Sequence, residues 1–217
     1  MLRLVPKILI SMAVVSCVGC LGGGPSRIKP PKLDPDYSAD RAMEIYDTNK
    51  DGLIAGDELD GCPAFKRTME EIPGSGGKTR GDLDTNGDGA ISRDEIADRI
   101  RFFVKSNLGV MKGLGCMFVY KGRGLAGTKV TFEPEPFMAD YIEAATGVTD
   151  ANGAVTLNRQ ANPLGGVTVG FYKIRLSKPS SSGKETLPAK LNTETTIGQE
   201  IVTGSMDLAY GLRYDLK

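Results

Sequence analysis

The chain of 217 residues contains 27 Lys and Arg and 27 Asp and Glu, so its formal net charge is zero, and it contains neither histidine nor tryptophan. Without histidine the chain cannot form a Ser-His-Asp or Cys-His catalytic centre or an H-E-x-x-H zinc site. No pair of carboxylates stands out as an alternative catalytic group, and no basic stripe with interleaved aromatic residues indicates nucleic-acid binding. We therefore expect a protein that is not an enzyme and has no nucleic-acid partner.

The beginning of the chain has the pattern of a secretory signal peptide. Arg3 and Lys7 provide a positively charged start, and an apolar stretch follows from Ile8 to Val15. This stretch is too short to span a bilayer as a helix, which needs about 20 residues. We interpret residues 1–20 as a signal peptide of the lipoprotein type.

The end of this leader resembles a bacterial lipobox, in which a small residue precedes a cysteine that becomes lipidated. Gly19 precedes Cys20, and Ser16 precedes Cys17. The resemblance implies a lipid on Cys20 or, alternatively, on Cys17, and hence an extracytoplasmic protein anchored to a membrane, in the periplasm or at the cell surface. An ordinary cleaved signal peptide with two incidental cysteines is the other interpretation. Residues 21–37 are rich in Gly and Pro and are interpreted as a tether.

Two twelve-residue segments repeat one spacing of oxygen-bearing side chains. The segment 47–58 reads DTNKDGLIAGDE, and the segment 84–95 reads DTNGDGAISRDE. Ca²⁺ takes six to eight oxygen ligands, and this spacing resembles the EF-hand loop, in which positions 1, 3, 5 and 12 offer side chains and position 7 a backbone carbonyl. The resemblance predicts two Ca²⁺ ions, one in each loop, with the ligands Asp47, Asn49, Asp51, Leu53, Glu58, Asp84, Asn86, Asp88, Ala90, Ser92 and Glu95.

The two loops differ at position 9, which is Ala55 in the first and Ser92 in the second. Ser92 can hold a ligand there, whereas in the first loop that ligand must be a water or be absent. The first loop is therefore predicted to be the weaker site if the flanking helices are otherwise equivalent. Ile54 and Ile91, at position 8, are predicted to pair in a short strand bridge between the loops. Asp, Asn and Gly also cluster in ordinary surface turns, but a turn explains one such segment better than two.

Helices are predicted around the loops. One runs over 38–46 with Ser38 as its N-cap, a second over 63–71, and a third follows the second loop with apolar residues at helical spacing. A Gly-rich segment, 73–79, stands where the second loop would have its incoming helix. We assign residues 38–108 to a small all-α EF-hand pair.

Residues 112–217 contain short runs with a period near two, rich in Val, Thr, Tyr and Phe and separated by Gly and Pro. This pattern favours β-strands. The strands are predicted at 116–120, 128–133, 145–149, 154–158, 167–176, 185–191, 195–202 and 206–214. Seven or eight strands in about 100 residues indicate a β-sandwich.

Three stretches of this part resemble the carboxypeptidase regulatory-like domain, which is similar in fold to transthyretin. They are KGRGLAGTKVTF at 121–132, GVTDANGAVTL at 147–157 and GFYKIRL at 170–176. The combination with an EF-hand pair is similar to small secreted bacterial lipoproteins. The family is an accessory β-sandwich, so the resemblance implies a fold but no catalytic residues.

These patterns predict a multidomain protein in which a small all-α EF-hand pair is followed by an all-β transthyretin-like or immunoglobulin-like sandwich. The expected function is that of a calcium-binding, lipid-anchored binding or structural module of the cell envelope, with calcium stabilising the EF-hand domain. The alternative is a calcium-responsive switch that acts on an envelope partner protein. The expected partners are calcium, the membrane, and an envelope protein or carbohydrate. Cys62 and Cys116 either form a disulfide or remain small buried side chains.

Overall fold

The computed structural model describes residues 32–70, 83–105, 109–159, 165–202 and 211–217. We call residues 32–70 and 83–105 the loop region and the remaining described residues the sheet region. The loop region consists of α1 (Pro35–Tyr46), β1 (Leu53–Ile54), a 3₁₀ segment (Gly56–Gly61), α2 (Pro63–Met69), β2 (Ile91–Ser92) and α3 (Arg93–Lys105). No helix within these described ranges combines the length and the apolar character needed to cross a membrane.

The sheet region consists of short strands and two 3₁₀ turns, at Pro136–Met138 and Ala189–Leu191. Its strands are β3 (Val110–Met111), β4 (Gly115–Tyr120), β5 (Arg123–Gly124), β6 (Lys129–Pro134), β7 (Ala145–Val148), β8 (Ala154–Thr156), β9 (Asn158–Arg159), β10 (Val167–Thr168), β11 (Gly170–Ser177), β12 (Gly198–Ile201) and β13 (Leu212–Leu216).

Two larger sheets organise these strands. Five strands form one sheet in the order β12-β11-β6-β7-β9, and every neighbouring pair in it is antiparallel. In the second sheet, which has four strands, β4 pairs in parallel with β13 on one side and antiparallel with β5 and β8 on the other. Two further short pairs, β1 with β2 and β3 with β10, complete the pairing.

One continuous hydrophobic core joins the helices to both sheets. The ring of Phe65 on α2 lies 5.1 Å from that of Phe171 on β11, and the ring of Phe103 on α3 lies 5.6 Å from the same ring, measured between centroids. All three side chains are buried. Helices α2 and α3 therefore pack apolar side chains on the five-stranded sheet.

The expectation of a small all-α EF-hand pair followed by a separate sandwich is wrong. Strand is the main regular structure of the described residues, and the helices are few and short. A helix as short as α2 gains its stability from tertiary packing, and here that packing is supplied by the sheets. Residues 71–82, where a second incoming helix would stand, lie outside the described residues.

The start of the first helix also differs from its prediction. Helix α1 begins at Pro35, and its N-cap is Asp34, whose side chain accepts a hydrogen bond from the N–H of Tyr37 at 3.1 Å. Proline is favoured in the first helical turn because an N–H at that position would have no intrahelical partner, so its absence costs nothing. Ser38, the predicted cap, is instead a buried residue inside the helix.

Most predicted strands are found close to their expected positions, but the one at 185–191 is wrong. That segment contains only an isolated bridge at Glu185 and the 3₁₀ turn Ala189–Leu191. The last strand runs from Leu212 to Leu216, later than predicted, and residues 203–210 of its predicted range lie outside the described residues.

The loop in place of that strand is organised by the carboxylate of Glu185. It accepts hydrogen bonds from the hydroxyl of Ser177 at 2.8 Å, the N–H groups of Lys178 at 2.9 Å and Leu187 at 3.0 Å, and the side-chain amide of Asn192 at 2.8 Å. Backbone N–H groups from several positions donate to this one carboxylate. They are therefore not available for the hydrogen bonds of a β-ladder. Burial works to raise the pKa of Glu185, but these hydrogen bonds lower it to about 2.

We predict that Glu185→Gln destabilises the protein in a pH-dependent way. The pKa of about 2 lies below the ordinary value of 4.5, so the stabilising contribution is present above the ordinary value and is lost as the pH falls towards the folded one. The difference in unfolding free energy between the variant and the parent should be largest near neutral pH and shrink between pH 4.5 and 2. Urea titrations across this range measure it, with the exposed Glu194→Gln as control. A difference that stays constant with pH would contradict the assignment.

The packing of α2 on β12 supplies a second prediction. A Cβ atom on Gly198 would lie 2.0 Å from the backbone carbonyl of Pro63 and 2.2 Å from the backbone nitrogen of Ala64. Backbone atoms cannot move aside as a side chain can, so Gly198→Ala should destabilise the fold by about 1–3 kcal/mol or more. At Gly115 in β4 a Cβ would meet nothing within 4 Å, so Gly115→Ala is the matched control. Equal unfolding free energies for the two variants would contradict the close approach.

Candidate metal centre

The two predicted calcium loops reverse direction at equivalent glycines. Gly52 and Gly89 have φ angles of 89° and 85°, a left-handed conformation that glycine adopts without strain. Between the loops, Leu53 pairs with Ser92 and Ile54 with Ile91 in antiparallel register. The expected strand bridge at position 8 is thereby confirmed.

In the first loop, the side chains at positions 1, 3 and 5 converge on the backbone of the turn. The N–H of Asp51 lies within hydrogen-bond distance of two oxygens, Oδ1 of Asp47 at 3.2 Å and Oδ1 of Asn49 at 2.8 Å. The N–H of Gly52 donates to Oδ2 of Asp47 at 3.0 Å, and the N–H of Leu53 donates to Oδ1 of Asp51 at 2.9 Å. These oxygens therefore face the inside of one turn.

The carboxylate of Glu58, at position 12, closes the first loop. Its Oε1 accepts from the N–H of Thr48 at 2.8 Å, the hydroxyl of Thr48 at 2.9 Å and the N–H of Asn49 at 3.2 Å. Its Oε2 accepts from the N–H of Ala55 at 3.2 Å. One side chain thus connects the start of the loop to its end.

The second loop repeats this arrangement at equivalent positions. The N–H of Asp88 lies 3.1 Å from Oδ1 of Asp84 and 2.9 Å from Oδ1 of Asn86, and the N–H of Ala90 donates to Asp88 at 2.9 Å. Oε1 of Glu95 accepts from the N–H of Thr85 at 2.8 Å and from its hydroxyl at 3.0 Å. The repeated hydrogen bonds include those from the N–H groups of Leu53 and Ala90. These are the two residues whose backbone carbonyls are expected to bind calcium.

The second loop has the more extensive contacts. The hydroxyl of Ser92 donates to Oε2 of Glu95 at 2.8 Å, a contact that Ala55 cannot make in the first loop. The N–H of Gly87 adds a bond to Asp84 at 2.7 Å. Asp84 is 2% exposed and Glu95 is 7% exposed. The order of calcium affinity expected from position 9, with the second loop the stronger, stays a prediction.

The two closing carboxylates are held in their charged form. Hydrogen bonds from the backbone of Ala55 and Asn49 and from the Thr48 hydroxyl lower the pKa of Glu58. Burial works to raise the pKa of Glu95, but the backbone and hydroxyl hydrogen bonds of Ser92, with those of Thr85, outweigh it and lower the pKa. The ionised carboxylate is the form that binds a cation.

The chemistry of the donors fits a hard cation. Each loop offers two Asp carboxylates, one Glu carboxylate and one Asn amide, all oxygen ligands of the kind that Ca²⁺ prefers, and none of the nitrogen or sulfur ligands typical of zinc. No group of three or more His, Cys, Asp or Glu side chains arranged to hold a metal is found among the described residues. In both loops many of these oxygens are directed at backbone N–H groups.

The cysteines are placed as follows. Cys20 and Cys17, the candidate lipid attachment sites, lie outside the described residues. Cys62 and Cys116 are both free and buried. Burial raises the pKa of both thiols, that of Cys116 to about 12, which disfavours the reactive thiolate at neutral pH.

A cleft of about 360 Å³ lies beside α2, next to β12 and β13. Its charged residues form three pairs of opposite sign: Lys66 with Asp60, Arg67 with Glu70, and Arg213 with Asp215. Because the charges balance, the cleft favours neither an anionic nor a cationic ligand.

Buried polar links between the loop region and the sheet region were not predicted from the sequence. The hydroxyl of Tyr46 donates to Glu135 at 3.0 Å, and Arg99 donates to Glu200 at 2.6 Å. The flanking prolines of Glu135, in the run EPEPF at 133–137, are a weak sign of a constrained position, but they give no indication of its partner.

Comparison with known proteins gives no match: no family model fits the chain, and no curated protein and no solved structure is significantly similar to it. Evidence for a function therefore comes from this chain's own residues.

Proposed function

We propose that the protein binds two Ca²⁺ ions, one in each loop, and that these ions stabilise the fold of a binding or structural module. The observation that carries the proposal is the repetition of one oxygen arrangement. Equivalent positions of the two loops make equivalent hydrogen bonds, and most of the paired distances are equal or differ by about a tenth of an ångström. Two unrelated surface turns would not be expected to share this arrangement of oxygens.

The ligands in this proposal are those predicted from the sequence, and the ion would offset the repulsion among the carboxylates of each loop. Binding to the folded state alone raises its stability by about 2.7 kcal/mol when the free ion exceeds Kd a hundredfold. The affinity expected for an extracellular module is weak, with Kd of about 10⁻⁴ to 10⁻³ M.

A structural role is favoured over a calcium-responsive switch by the position of the apolar side chains. Sensor proteins expose a Met-rich groove when they open. In the loop region Met43 and Met69 are partly buried and pack on the common core. Phe65 and Phe103 are buried against the sheet as well, so opening these helices would break the core of the sheet region.

We predict that Glu58→Gln and Glu95→Gln each abolish most of the binding at their own loop, because the amide removes a charged, bidentate ligand. Isothermal titration of the parent with Ca²⁺ should show two sites, and each variant should show one. Asp57→Asn and Asp94→Asn are the matched controls, since each exposed carboxylate is next to a ligand but is not one. Two unchanged sites in Glu95→Gln would refute the assignment.

Thermal melting and dye binding, measured with and without calcium, distinguish the structural role from the switch. With calcium, the melting temperature of the parent should rise while the fluorescence of a hydrophobic dye stays constant or falls. A clear rise in dye binding to the native protein would favour the switch.

We also propose that the module is attached to a membrane, in the periplasm or at the cell surface, through a lipid on Cys20 or on Cys17. Support comes from the sequence of the leader. Metabolic labelling with a fatty-acid probe should modify the parent and not the variant with both cysteines changed to Ser. Labelling that survives this double change would rule the anchor out.

A further inference from the structure

Glu135 is a buried carboxyl group that connects the sheet region to two helices of the loop region. It is 1% exposed and follows β6 directly. Its Oε2 accepts a hydrogen bond from the hydroxyl of Tyr46 at 3.0 Å, and its Oε1 accepts one from the N–H of Ala64 at 3.3 Å. Its own N–H donates to the carbonyl of Phe171 at 2.9 Å, which fixes it on the five-stranded sheet.

The two donors stand at the two ends of the first calcium loop. Tyr46 is the last residue of α1 and directly precedes Asp47, the first predicted ligand. Ala64 lies in the first turn of α2, which follows the 3₁₀ segment that contains Glu58, the last predicted ligand. One carboxyl group therefore fixes both the incoming and the outgoing end of this loop.

Packing around the carboxyl group makes its position rigid. The ring of Tyr46 lies 6.2 Å from the rings of Phe65 and Phe137, and those two rings lie 5.2 Å from each other. A Cβ on Gly61, at the end of the 3₁₀ segment, would be 3.4 Å from the ring of Tyr46. In such a water-poor environment a hydrogen bond is electrostatically stronger than at the surface.

The second loop has a separate connection to the same sheet. Arg99 lies one helical turn after Glu95 on α3 and forms an ion pair with Glu200 of β12 at 2.6 Å. The two side chains are 7% and 8% exposed. The links of the two loops therefore use different residues and can be tested one at a time.

We infer that Glu135 and Tyr46 are positioning residues for the first calcium loop, and that they couple calcium binding at this loop to the sheet region. The inference rests on the proposed function. Binding requires that the first and last ligands, Asp47 and Glu58, be held at a fixed separation, and the shared carboxyl group sets that separation through both ends. By linkage, whatever strengthens this contact tightens calcium binding at the loop, and calcium strengthens the contact by the same factor.

The test removes one hydroxyl group and leaves the ring in place. Tyr46→Phe is introduced into a Glu95→Gln background, in which only the first loop binds, and into a Glu58→Gln background, in which only the second loop binds. The matched control is Tyr37→Phe, on the same helix, whose side chain is 44% exposed. Glu135→Gln, which keeps the shape of the side chain, is the second variant.

Calcium titration by calorimetry should show that Tyr46→Phe weakens binding at the first loop about tenfold, within the range typical of coupled sites. Binding at the second loop should change less than twofold, and Tyr37→Phe should change neither loop. Glu135→Gln should show the same selectivity. A general loosening of the fold would weaken both loops alike, so selectivity is the deciding result.

Three outcomes have distinct meanings. If the parent binds no calcium, the proposed function fails. If the parent binds two ions and both variants bind at the first loop with unchanged affinity, or weaken both loops equally, the proposed function stands and the coupling is refuted. Selective loss at the first loop, in a variant whose circular dichroism matches the parent, supports the coupling.

Discussion

The rings of Phe65, Phe103 and Phe171 form the contact on which the rest of the structure depends. They belong to α2, α3 and β11, and each is buried. Isolated helices shorter than about 12–15 residues are marginal in water, and α2 has only 7 residues. Burying a phenylalanine side chain contributes about 1.5–3 kcal/mol. Packing on the sheet therefore stabilises helices that would be marginal by themselves.

The packing of the helices constrains the geometry of the loops that adjoin them. Each loop must keep three carboxylates within one turn, although like charges repel. Backbone N–H groups reduce the repulsion, because they donate hydrogen bonds to the charged oxygens. Helices α1 and α2 flank the first loop, and α3 follows the second. Where packed helices hold a loop end, less conformational freedom remains to be lost when an ion binds, and preorganisation of this kind favours affinity.

This arrangement also explains why the loop region is part of a larger folding unit. The buried pair of Arg99 and Glu200 and the hydrogen bond between Tyr46 and Glu135 both cross from helix to sheet. Removing one partner of such a pair leaves a buried polar group without compensation, which costs more than the pair itself contributes. The two regions are therefore expected to unfold together. Calcium, which would bind only the folded loops, would then stabilise the sheets as well.

The architecture of the two sheets does not by itself indicate an activity. The same architecture serves many functions, and a function has to be argued from a site. The cleft beside α2 carries balanced charges, whereas the loops present a defined set of oxygens. Among the described residues, the loops are accordingly the better candidate for a functional site.

The amino-acid sequence determined the features that depend on neighbouring residues. The spacing of Asp, Asn, Gly and Glu in the two loops, the glycines at the reversals, and the alternation in β4, β6 and β11 are all local patterns, in which each residue's role is set by residues a few positions away. The pairing of Ile54 with Ile91 is instead expected from the resemblance to paired calcium loops. Reasoning from local patterns failed at 185–191, where strand-like composition is overridden by hydrogen bonds to the Glu185 carboxylate.

Only the tertiary structure decided which surfaces meet. Tyr46 and Glu135 are 89 residues apart in the chain, and Arg99 and Glu200 are 101 apart. No periodicity links such pairs, because an apolar helix face fits another helix or a sheet equally well. An all-α unit would require the helices to pack mainly on one another. The sheet, with its larger apolar surface and with Gly198 allowing the backbone of α2 to approach, is where α2 packs instead.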